Sequence, residues 1–423
     1  MINKNKSHLI FVLSIYSLLV LVACDCSNKP THPPAKDKRR KQEQEVPIPP
    51  ITDEMIKKAR RAGYSFLADM LTKLKKGEAV DINSSNTDEW KHTALYQAAD
   101  LGDMAIFKAL TERGADLKKK TSSGNTPLLA AAAMGHIEIV KLLIDKLDQS
   151  QLNEKGCGKN TPLHWGIYNN HTEIVKLLIN KLTKSQLNEK NSDGDTPLYA
   201  SVTEGNIEVA KLLVEKLDQI QLNEKNSYGY TSLHEAAAMG RTEIVKLLIE
   251  KLDQLQSNEK DFGNHTPLHE AIYNNNTEIA RLLINKLDRS LLNEKTNGGD
   301  TPLHAAIKIG NVEIANLLID KLEQSQLGLD QKDTVGYTLL YEVIVNSRLE
   351  MAKLLIDKLD QAQLNQKTNW GSTALHIAVE RNYIEIAKQL IAKGADPTIK
   401  NKKGQTPMNL AKSDDMRRVL QSM

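Results

Sequence analysis

One short pattern recurs along most of this chain and restricts what the chain can fold into. A threonine followed by Pro, Ala, Ser or Leu, then usually by Leu and by His or Tyr, begins at ten positions. The intervals between successive threonines are 33, then 35 five times, then 37, 35 and 33 residues. A period this regular indicates a solenoid, in which one structural unit is repeated. The threonines are Thr93, Thr126, Thr161, Thr196, Thr231, Thr266, Thr301, Thr338, Thr373 and Thr406.

The unit of residues 266–300 shows what each repeat encodes. Thr266 is a good helix N-cap, and Pro267 suits the first helical position, where no backbone donor is needed. We expect this first helix to end at 274–276, where most other units place a glycine. A second helix is predicted from about Thr277, because apolar residues then recur at helical spacing. Each unit is therefore predicted to be a helix, a turn, a helix and a hairpin-like loop.

These units resemble the ankyrin repeat. A single unit cannot bury both of its helices, so neighbouring units must stack. The resemblance covers roughly residues 53–423. It implies an all-α ankyrin-repeat solenoid of stacked helix-turn-helix units with hairpin-like loops, which binds proteins through its loop tips and the concave, exposed side of its first helices. The motifs are Thr161-Pro162-Leu163-His164, Thr301-Pro302-Leu303-His304, Glu-Ile-Val-Lys-Leu-Leu at 138–143 and 243–248, and Gly-Ala-Asp at 114–116 and 394–396.

The repeat region is predicted to have three parts. Residues 53–92 form a degenerate N-terminal capping repeat and loop, residues 93–405 form nine ankyrin repeats, and residues 406–423 form a C-terminal capping repeat with a polar outer face. In the 35-residue units, a Lys-Leu-Asp-Gln type of sequence replaces the Gly-Ala-Asp that ends the second helix. We therefore expect a longer second helix, in which a leucine such as Leu147 adds one apolar contact per unit.

The first residues predict export and a lipid anchor. The apolar run at 9–23 is shorter than the roughly 20 residues that a membrane-spanning helix needs. Leu21-Val22-Ala23-Cys24 resembles the bacterial lipobox, in which a peptidase cuts before an acylated cysteine. This resemblance implies that residues 1–23 are a lipoprotein signal peptide and that Cys24 carries the lipid. An uncleaved membrane anchor and an ordinary secretory signal are the alternatives.

A disordered, Pro-rich tether is predicted at residues 24–52. Six of the protein's 13 prolines lie between 27 and 51, among few large apolar residues, so the segment cannot bury enough surface to fold. The basic run at 36–41 could lie against anionic headgroups, although a solvated linker is the more common meaning of such a run.

Charge and cysteine content argue against several kinds of ligand. The 56 Lys and Arg against 53 Asp and Glu leave a formal charge of +3, which offers no basic field to a nucleic acid. The three cysteines, Cys24, Cys26 and Cys157, contain no second pair to complete a zinc site, and an acylated Cys24 cannot ligate. We expect no cofactor, no metal and no nucleic acid.

The histidines of the repeat motif do not indicate catalysis. Tyr96, Tyr199 and Tyr341 take the same position in other units, which a ligand set could not tolerate. By resemblance to ankyrin repeats, these histidines are structural and form hydrogen bonds near the start of the first helix. Gly-Cys-Gly-Lys at 156–159 lacks the first glycine and the adjacent Ser or Thr of a phosphate-binding loop. The chain is therefore predicted not to be an enzyme. The motif histidines are His164, His234, His269, His304 and His376.

Function is expected where the units differ. The position after the motif histidine and the position three residues further on both vary, and they lie on one face of the first helix. The loop tips are rich in aromatic residues, in a chain with 4% aromatics, and aromatic residues anchor interfaces. Packing of these rings against neighbouring loops is the alternative. The predicted partner-binding residues are Trp165, Tyr168, Tyr228, Glu235, Phe262, Glu270, Tyr273 and Trp370.

Together these observations predict a non-catalytic protein–protein interaction scaffold. The chain is expected to be a bacterial ankyrin-repeat lipoprotein, lipid-anchored to a membrane of the cell envelope. Its high Asn, Lys and Ile content suggests an AT-rich genome of the sort found in host-associated bacteria, which favours a host protein as the partner. The alternative is a periplasmic envelope scaffold that binds a bacterial protein.

Overall fold

The computed structural model of the chain describes residues 48–322, 327–328 and 336–421. The predicted signal peptide, the predicted lipidation at Cys24 and most of the predicted tether lie outside these residues. The described chain divides into two compact parts, residues 48–200 and residues 201–421, which are called the first unit and the second unit when they are numbered in this way. Each of them contains several of the sequence repeats. Within the described part of the chain, no helix is long and apolar enough to cross a membrane.

The predicted all-α fold is confirmed, since the described residues form helices and no strand. In the first unit the paired helices are Asp53–Arg61 with Ser65–Lys75, Ala94–Leu101 with Met104–Thr111, Pro127–Met134 with Ile137–Lys146, and Pro162–Tyr168 with Thr172–Lys181. Helix Pro197–Thr203 lies at the division, and Ile207–Lys216 follows it. The remaining pairs are Ser232–Ala238 with Thr242–Lys251, Pro267–Tyr273 with Thr277–Lys286, Pro302–Ile309 with Val312–Lys321, Leu339–Val345 with Leu349–Lys358, Ala374–Glu380 with Ile384–Ala392, and Pro407–Leu410 with Asp414–Gln421.

Local chemistry explains where the first helices begin and end. Thr126 caps helix Pro127–Met134, because its hydroxyl accepts a hydrogen bond from the backbone N–H of Leu129. Gly135 ends the same helix in the left-handed conformation, with φ of 82°, which glycine adopts without a Cβ clash. The chain can then reverse and start the second helix two residues later.

The second helices of the 35-residue units are longer, as expected, but they end before the leucine. Helix Ile137–Lys146 has 10 residues, against 8 in Met104–Thr111, and Leu147 follows it in an extended conformation. A further short helical turn then brings another leucine into the core, which the sequence pattern did not predict. Leu187 of one such turn is 1% exposed.

Stacking of like helices forms the core within each unit. In the second unit, helix Ser232–Ala238 packs against Pro267–Tyr273, which packs against Pro302–Ile309. Leu233, in the first of these helices, is fully buried, as is the corresponding leucine of each of the other two. Burying one leucine is worth about 1.5–3 kcal/mol, so stability accumulates with each added neighbour.

Successive loops are joined through their main chains. The backbone N–H of Asn297 donates to the carbonyl oxygen of Gly263 at 2.8 Å. The same bond joins Ser122 to Trp90 at 2.9 Å in the first unit and Lys402 to Trp370 at 3.0 Å in the second. The loop tips are thereby held in a row while their side chains stay free to differ.

Candidate partner-binding surface

The motif histidines form the buried framework beneath the loops. His234 Nδ1 lies 2.9 Å from the hydroxyl of Thr231, and its Nε2 lies 3.1 Å from the carbonyl oxygen of His265 in the next loop. Burial lowers the pKa of His234 to about 4, so the ring is neutral near pH 7. His164 and His269 make the equivalent contacts, and burial lowers each pKa to about 4. These histidines form hydrogen bonds at the start of the first helix, as predicted, and their other ring nitrogen contacts the next loop, which the sequence did not predict.

Trp165 and Tyr168 lie together in the first unit. Their rings meet edge to face with centroids 6.3 Å apart on helix Pro162–Tyr168, and both side chains are partly buried. The Tyr168 hydroxyl accepts a hydrogen bond from Asn191 Nδ2 in the next loop at 3.0 Å. The two side chains therefore contact the next loop through Tyr168 and still keep part of their surface exposed to solvent.

Tyr228 and Phe262 are the most open of the predicted residues. They lie at the tips of two successive loops in the second unit and are 65% and 73% exposed. Phe262 lies over Gly229, where a Cβ atom would come within 2.8 Å of the Phe262 backbone nitrogen and 2.9 Å of its ring. Aromatic side chains on neighbouring loop tips can anchor an interface, because aromatic residues are enriched among those that carry binding energy.

Trp370 belongs to a short row of aromatic rings. Its ring centroid lies 5.3 Å from that of Tyr337, which in turn stacks on Tyr341 at 4.8 Å. Trp370 is nevertheless 50% exposed, so packing against a neighbouring loop and an exposed face occur in the same residue.

The two predicted glutamates differ in their surroundings. Glu235 is partly buried, whereas Glu270 is 8% exposed and accepts a hydrogen bond from the Tyr230 hydroxyl at 3.2 Å. Burial raises the pKa of Glu270, and the nearby carboxylates of Asp261 and Glu235 raise it further. Glu270 was predicted on the partner-binding surface, but its side chain is turned inward.

Tyr273 is partly buried beside the same group. Its ring lies 5.7 Å from that of His265 and 6.3 Å from that of His269. Burial, followed by the effect of nearby Asp300, raises the pKa of Tyr273 to about 12, so the phenol is protonated at neutral pH.

Sequence reasoning missed the group formed by Asp261, His265 and Glu270. His265 Nδ1 lies 3.3 Å from Glu270 Oε1 and 3.5 Å from Asp261 Oδ2. The available signal was the aspartate at 261, since the two preceding loops have Asn191 and Asn226 at this position.

Comparison with known proteins gives consistent family matches. A family model described as ankyrin repeats (3 copies) matches residues 59–155, 95–191, 146–226, 163–261, 252–327, 322–401 and 361–420. An ankyrin repeat protein of Rickettsia bellii (strain RML369-C) is 51% identical over 47 residues, which is 11% of this chain and 28% of that protein. The Homo sapiens oxysterol-binding protein-related protein 1 is 39% identical over 57 residues, 14% of this chain and 6% of that protein.

Two further similarities concern a bovine protein and a solved structure. Protein fem-1 homolog A of Bos taurus is 38% identical over 64 residues, 14% of this chain and 10% of that protein. The chain thus spans less than a third of the length of each of these three relatives. The crystal structure of the ankyrin repeat domain of Bcl-3, of the IkappaB protein family, is 27% identical with a TM-score of 0.46, over 54% of this chain and 99% of that chain.

Proposed function

Because the chain belongs to the ankyrin-repeat family, we propose that it is a non-catalytic scaffold that binds a protein partner. The observation that carries this proposal is the exposure of Tyr228 and Phe262 on adjacent loop tips, at 65% and 73%. Aromatic side chains bury about 150–250 Å² each, so two of them side by side can anchor an interface. The Phe262 loop is bonded to the next loop, because the backbone N–H of Asn297 donates to the carbonyl oxygen of Gly263 at 2.8 Å, and a loop held in this way loses less entropy on binding.

The state of the motif histidines supports a binding role over a catalytic one. His164, His234 and His269 are neutral, buried and bonded at both ring nitrogens. A general base must reach a substrate proton, and these rings instead reach the backbone of the next loop.

A pull-down with matched variants tests this proposal. The full chain is immobilised and exposed in parallel to host-cell lysate and to bacterial envelope extract. The Tyr228→Ala/Phe262→Ala variant should lose the partner. The control is Ile220→Ala/Leu255→Ala, which removes apolar side chains that are 76% and 70% exposed in the segments after the second helices. An equal loss of the partner in both variants would show nonspecific hydrophobic binding and would contradict a defined binding surface at Tyr228 and Phe262.

A second variant tests the first unit separately. Trp165→Ala/Tyr168→Ala removes the edge-to-face pair on helix Pro162–Tyr168. Loss of the same partner would extend the contact to this unit, and full retention would restrict it to the loops of residues 201–421.

We propose further that Cys24 is acylated and anchors the protein to a membrane of the bacterial envelope, with a host protein as partner. The lipobox-like residues 21–24 support this anchor. Detergent phase partition of the expressed protein, with mass spectrometry of its N-terminal peptide, tests it against Cys24→Ser. The wild type should enter the detergent phase with a lipid on Cys24, and equal partition of the two proteins would contradict the anchor.

The pull-down distinguishes the two kinds of partner. A captured periplasmic protein in place of a host protein would support the envelope-scaffold alternative.

A further inference from the structure

Three side chains of chemically complementary types converge at one loop of the second unit. Asp261 and His265 belong to the loop before helix Pro267–Tyr273, and Glu270 lies in the first turns of that helix. One ligating atom from each lies within 4.8 Å of the other two. We refer to Asp261, His265 and Glu270 as the Asp–His–Glu cluster.

The spacing of these atoms fits a small metal ion. Zinc binds histidine nitrogen and carboxylate oxygen at about 2.0–2.2 Å, and tetrahedral geometry then separates the ligand atoms by roughly 3.3–3.6 Å. In the cluster, His265 Nδ1 lies 3.3 Å from Glu270 Oε1 and 3.5 Å from Asp261 Oδ2. Only small side-chain movements are needed to bring the third ligand distance into the same range.

One ring nitrogen of His265, Nδ1, faces the two carboxylates of the cluster. It is buried and makes no hydrogen bond to any residue that the structure describes. Buried nitrogen atoms of this kind normally have a partner, because leaving one unsatisfied costs about 1–3 kcal/mol. The His265 side chain as a whole is 34% exposed, so solvent can reach the cluster.

The two buried carboxylates of the cluster also favour a bound cation. The side chains of Asp261 and Glu270 are 6% and 10% exposed. Among the described residues, both carboxylates approach His265 Nδ1, at 3.5 and 3.3 Å, and neither forms an ion pair with a lysine or arginine. Burying a carboxylate without compensation is costly, and a divalent ion bound between the two would offset that cost.

Neighbouring groups already orient the ligands. Asp261 Oδ1 accepts hydrogen bonds from the backbone N–H of Gly263 at 2.8 Å and of His265 at 2.7 Å, which leaves Oδ2 facing the ring. The Tyr230 hydroxyl donates to Glu270 Oε1 at 3.2 Å. Outer hydrogen bonds of this type fix the orientation of carboxylate ligands in metal sites.

The preceding repeat shows that the loop itself does not need an aspartate. Asn226 occupies the equivalent position, and its Oδ1 accepts from the backbone N–H of Tyr228 at 3.0 Å and of Tyr230 at 3.1 Å. An asparagine therefore builds the same loop. What Asp261 adds is a second carboxylate oxygen, directed at His265.

We propose that the Asp–His–Glu cluster is a binding site for a divalent transition-metal ion of the Zn²⁺ class. One imidazole nitrogen and two carboxylate oxygens are a donor set that suits Zn²⁺ and its first-row neighbours. Three protein ligands leave a fourth position for water or for a ligand from a bound molecule. The metal site does not require the proposed partner binding to be correct, although Asp261 directly precedes Phe262 in the chain. It departs from the sequence prediction that the chain binds no metal.

Calorimetric titration of the metal-free full chain with Zn²⁺ tests the site. We expect one ion per chain at the cluster and a loss of affinity of at least tenfold in Asp261→Asn, because Asn keeps the loop bonds and removes the ligating charge. The control is Glu243→Gln, which removes a carboxylate that is 59% exposed and paired with Lys246 on helix Thr242–Lys251, and it should leave the affinity unchanged. Equal Zn²⁺ affinity in Asp261→Asn and the wild type would overturn the proposal, as would the absence of binding to the wild type.

Two additional measurements keep the test decisive. His265→Tyr introduces the residue type that Tyr230 provides at this position of the preceding repeat, and it removes the nitrogen ligand if Asp261→Asn does not fold. Absorption of the Co²⁺ form should show tetrahedral bands without thiolate charge transfer. A thiolate band that persists in both variants would place the ion on cysteine and overturn the assignment.

Discussion

The starts of the first helices and the tips of the loops follow opposite rules in this protein. Thr231 and His234 are fully buried, and three further repeats bury the same pair with the same bond between the Thr hydroxyl and the His Nδ1, namely Thr161 with His164, Thr266 with His269, and Thr373 with His376. At the tips, Tyr228 and Phe262 are exposed, and the residue type changes from loop to loop. The residues that recur join neighbouring repeats, whereas the residues that vary are exposed to solvent and are available to a binding partner.

The largest effect of any single substitution at neutral pH should come from truncating a buried leucine. Leu163→Ala removes a fully buried side chain from helix Pro162–Tyr168, and we expect the free energy of unfolding to fall by about 2–5 kcal/mol. Urea unfolding followed by circular dichroism measures this loss. A loss well under 1 kcal/mol would mean that the stacked leucines do not carry the stability.

The buried histidines should make the protein sensitive to acid. Their folded pKa is about 4, below the value of about 6.5 expected in the unfolded chain, so protonation favours unfolding. Stability present above pH 6.5 is therefore lost as pH falls towards 4, by up to about 1.4 kcal/mol per pH unit for each histidine. Urea midpoints between pH 7 and pH 4.5 measure the decline.

A variant isolates one histidine from the other groups that titrate. His234→Asn follows the example of Asn409, which takes the same position in the last unit and accepts from the backbone N–H of Thr406 at 2.8 Å. Its urea midpoint should decline less steeply than that of the wild type between pH 6.5 and pH 4.5. Parallel declines would exclude His234 as a source of the acid sensitivity.

A smaller effect should separate loop packing from backbone strain. Gly229 and Gly299 occupy equivalent loop positions with φ of 83° and 85°, but a Cβ would meet Phe262 at Gly229 and nothing within 4 Å at Gly299. We expect Gly299→Ala to cost about 1 kcal/mol and Gly229→Ala roughly twice that. Thermal unfolding of the two variants measures the difference. Equal losses would show that Phe262 moves away without cost.

The smallest effect on stability should come from the exposed face. Trp165→Ala lies two residues after Leu163, yet its partly buried ring should contribute less than about 1 kcal/mol to folding. Partner affinity should instead fall by about 2 kcal/mol if Trp165 is an anchor. A large drop in melting temperature would assign Trp165 to the core.

Local patterns made the framework predictable. A Thr-Pro start and a glycine at the first turn act within a few residues of themselves, so their consequences follow from spacing alone. The role of the motif histidine came from the resemblance to ankyrin repeats, because its Nε2 contacts a loop about one repeat away. The end of the second helix was less predictable, because Leu147 is apolar enough to continue the helix but follows it in an extended conformation.

The direction of individual side chains could not be predicted from the repeat. Glu235 and Glu270 occupy the same position in adjacent repeats, yet only Glu270 is buried. Its carboxylate accepts a hydrogen bond from the Tyr230 hydroxyl and contacts the His265 ring. That outcome depends on Asp261 and His265, which belong to the loop before its helix. A sequence pattern that treats each position separately cannot show such a convergence.

The main-chain bonds between loops, such as Asn297 N–H to the Gly263 carbonyl, have an evolutionary consequence. Every amino acid except proline can supply both groups, so a mutation at a loop tip leaves the bond intact. A gene that encodes such units can therefore duplicate them and diversify their tips by point mutation. New binding preferences can arise in this way without a new fold.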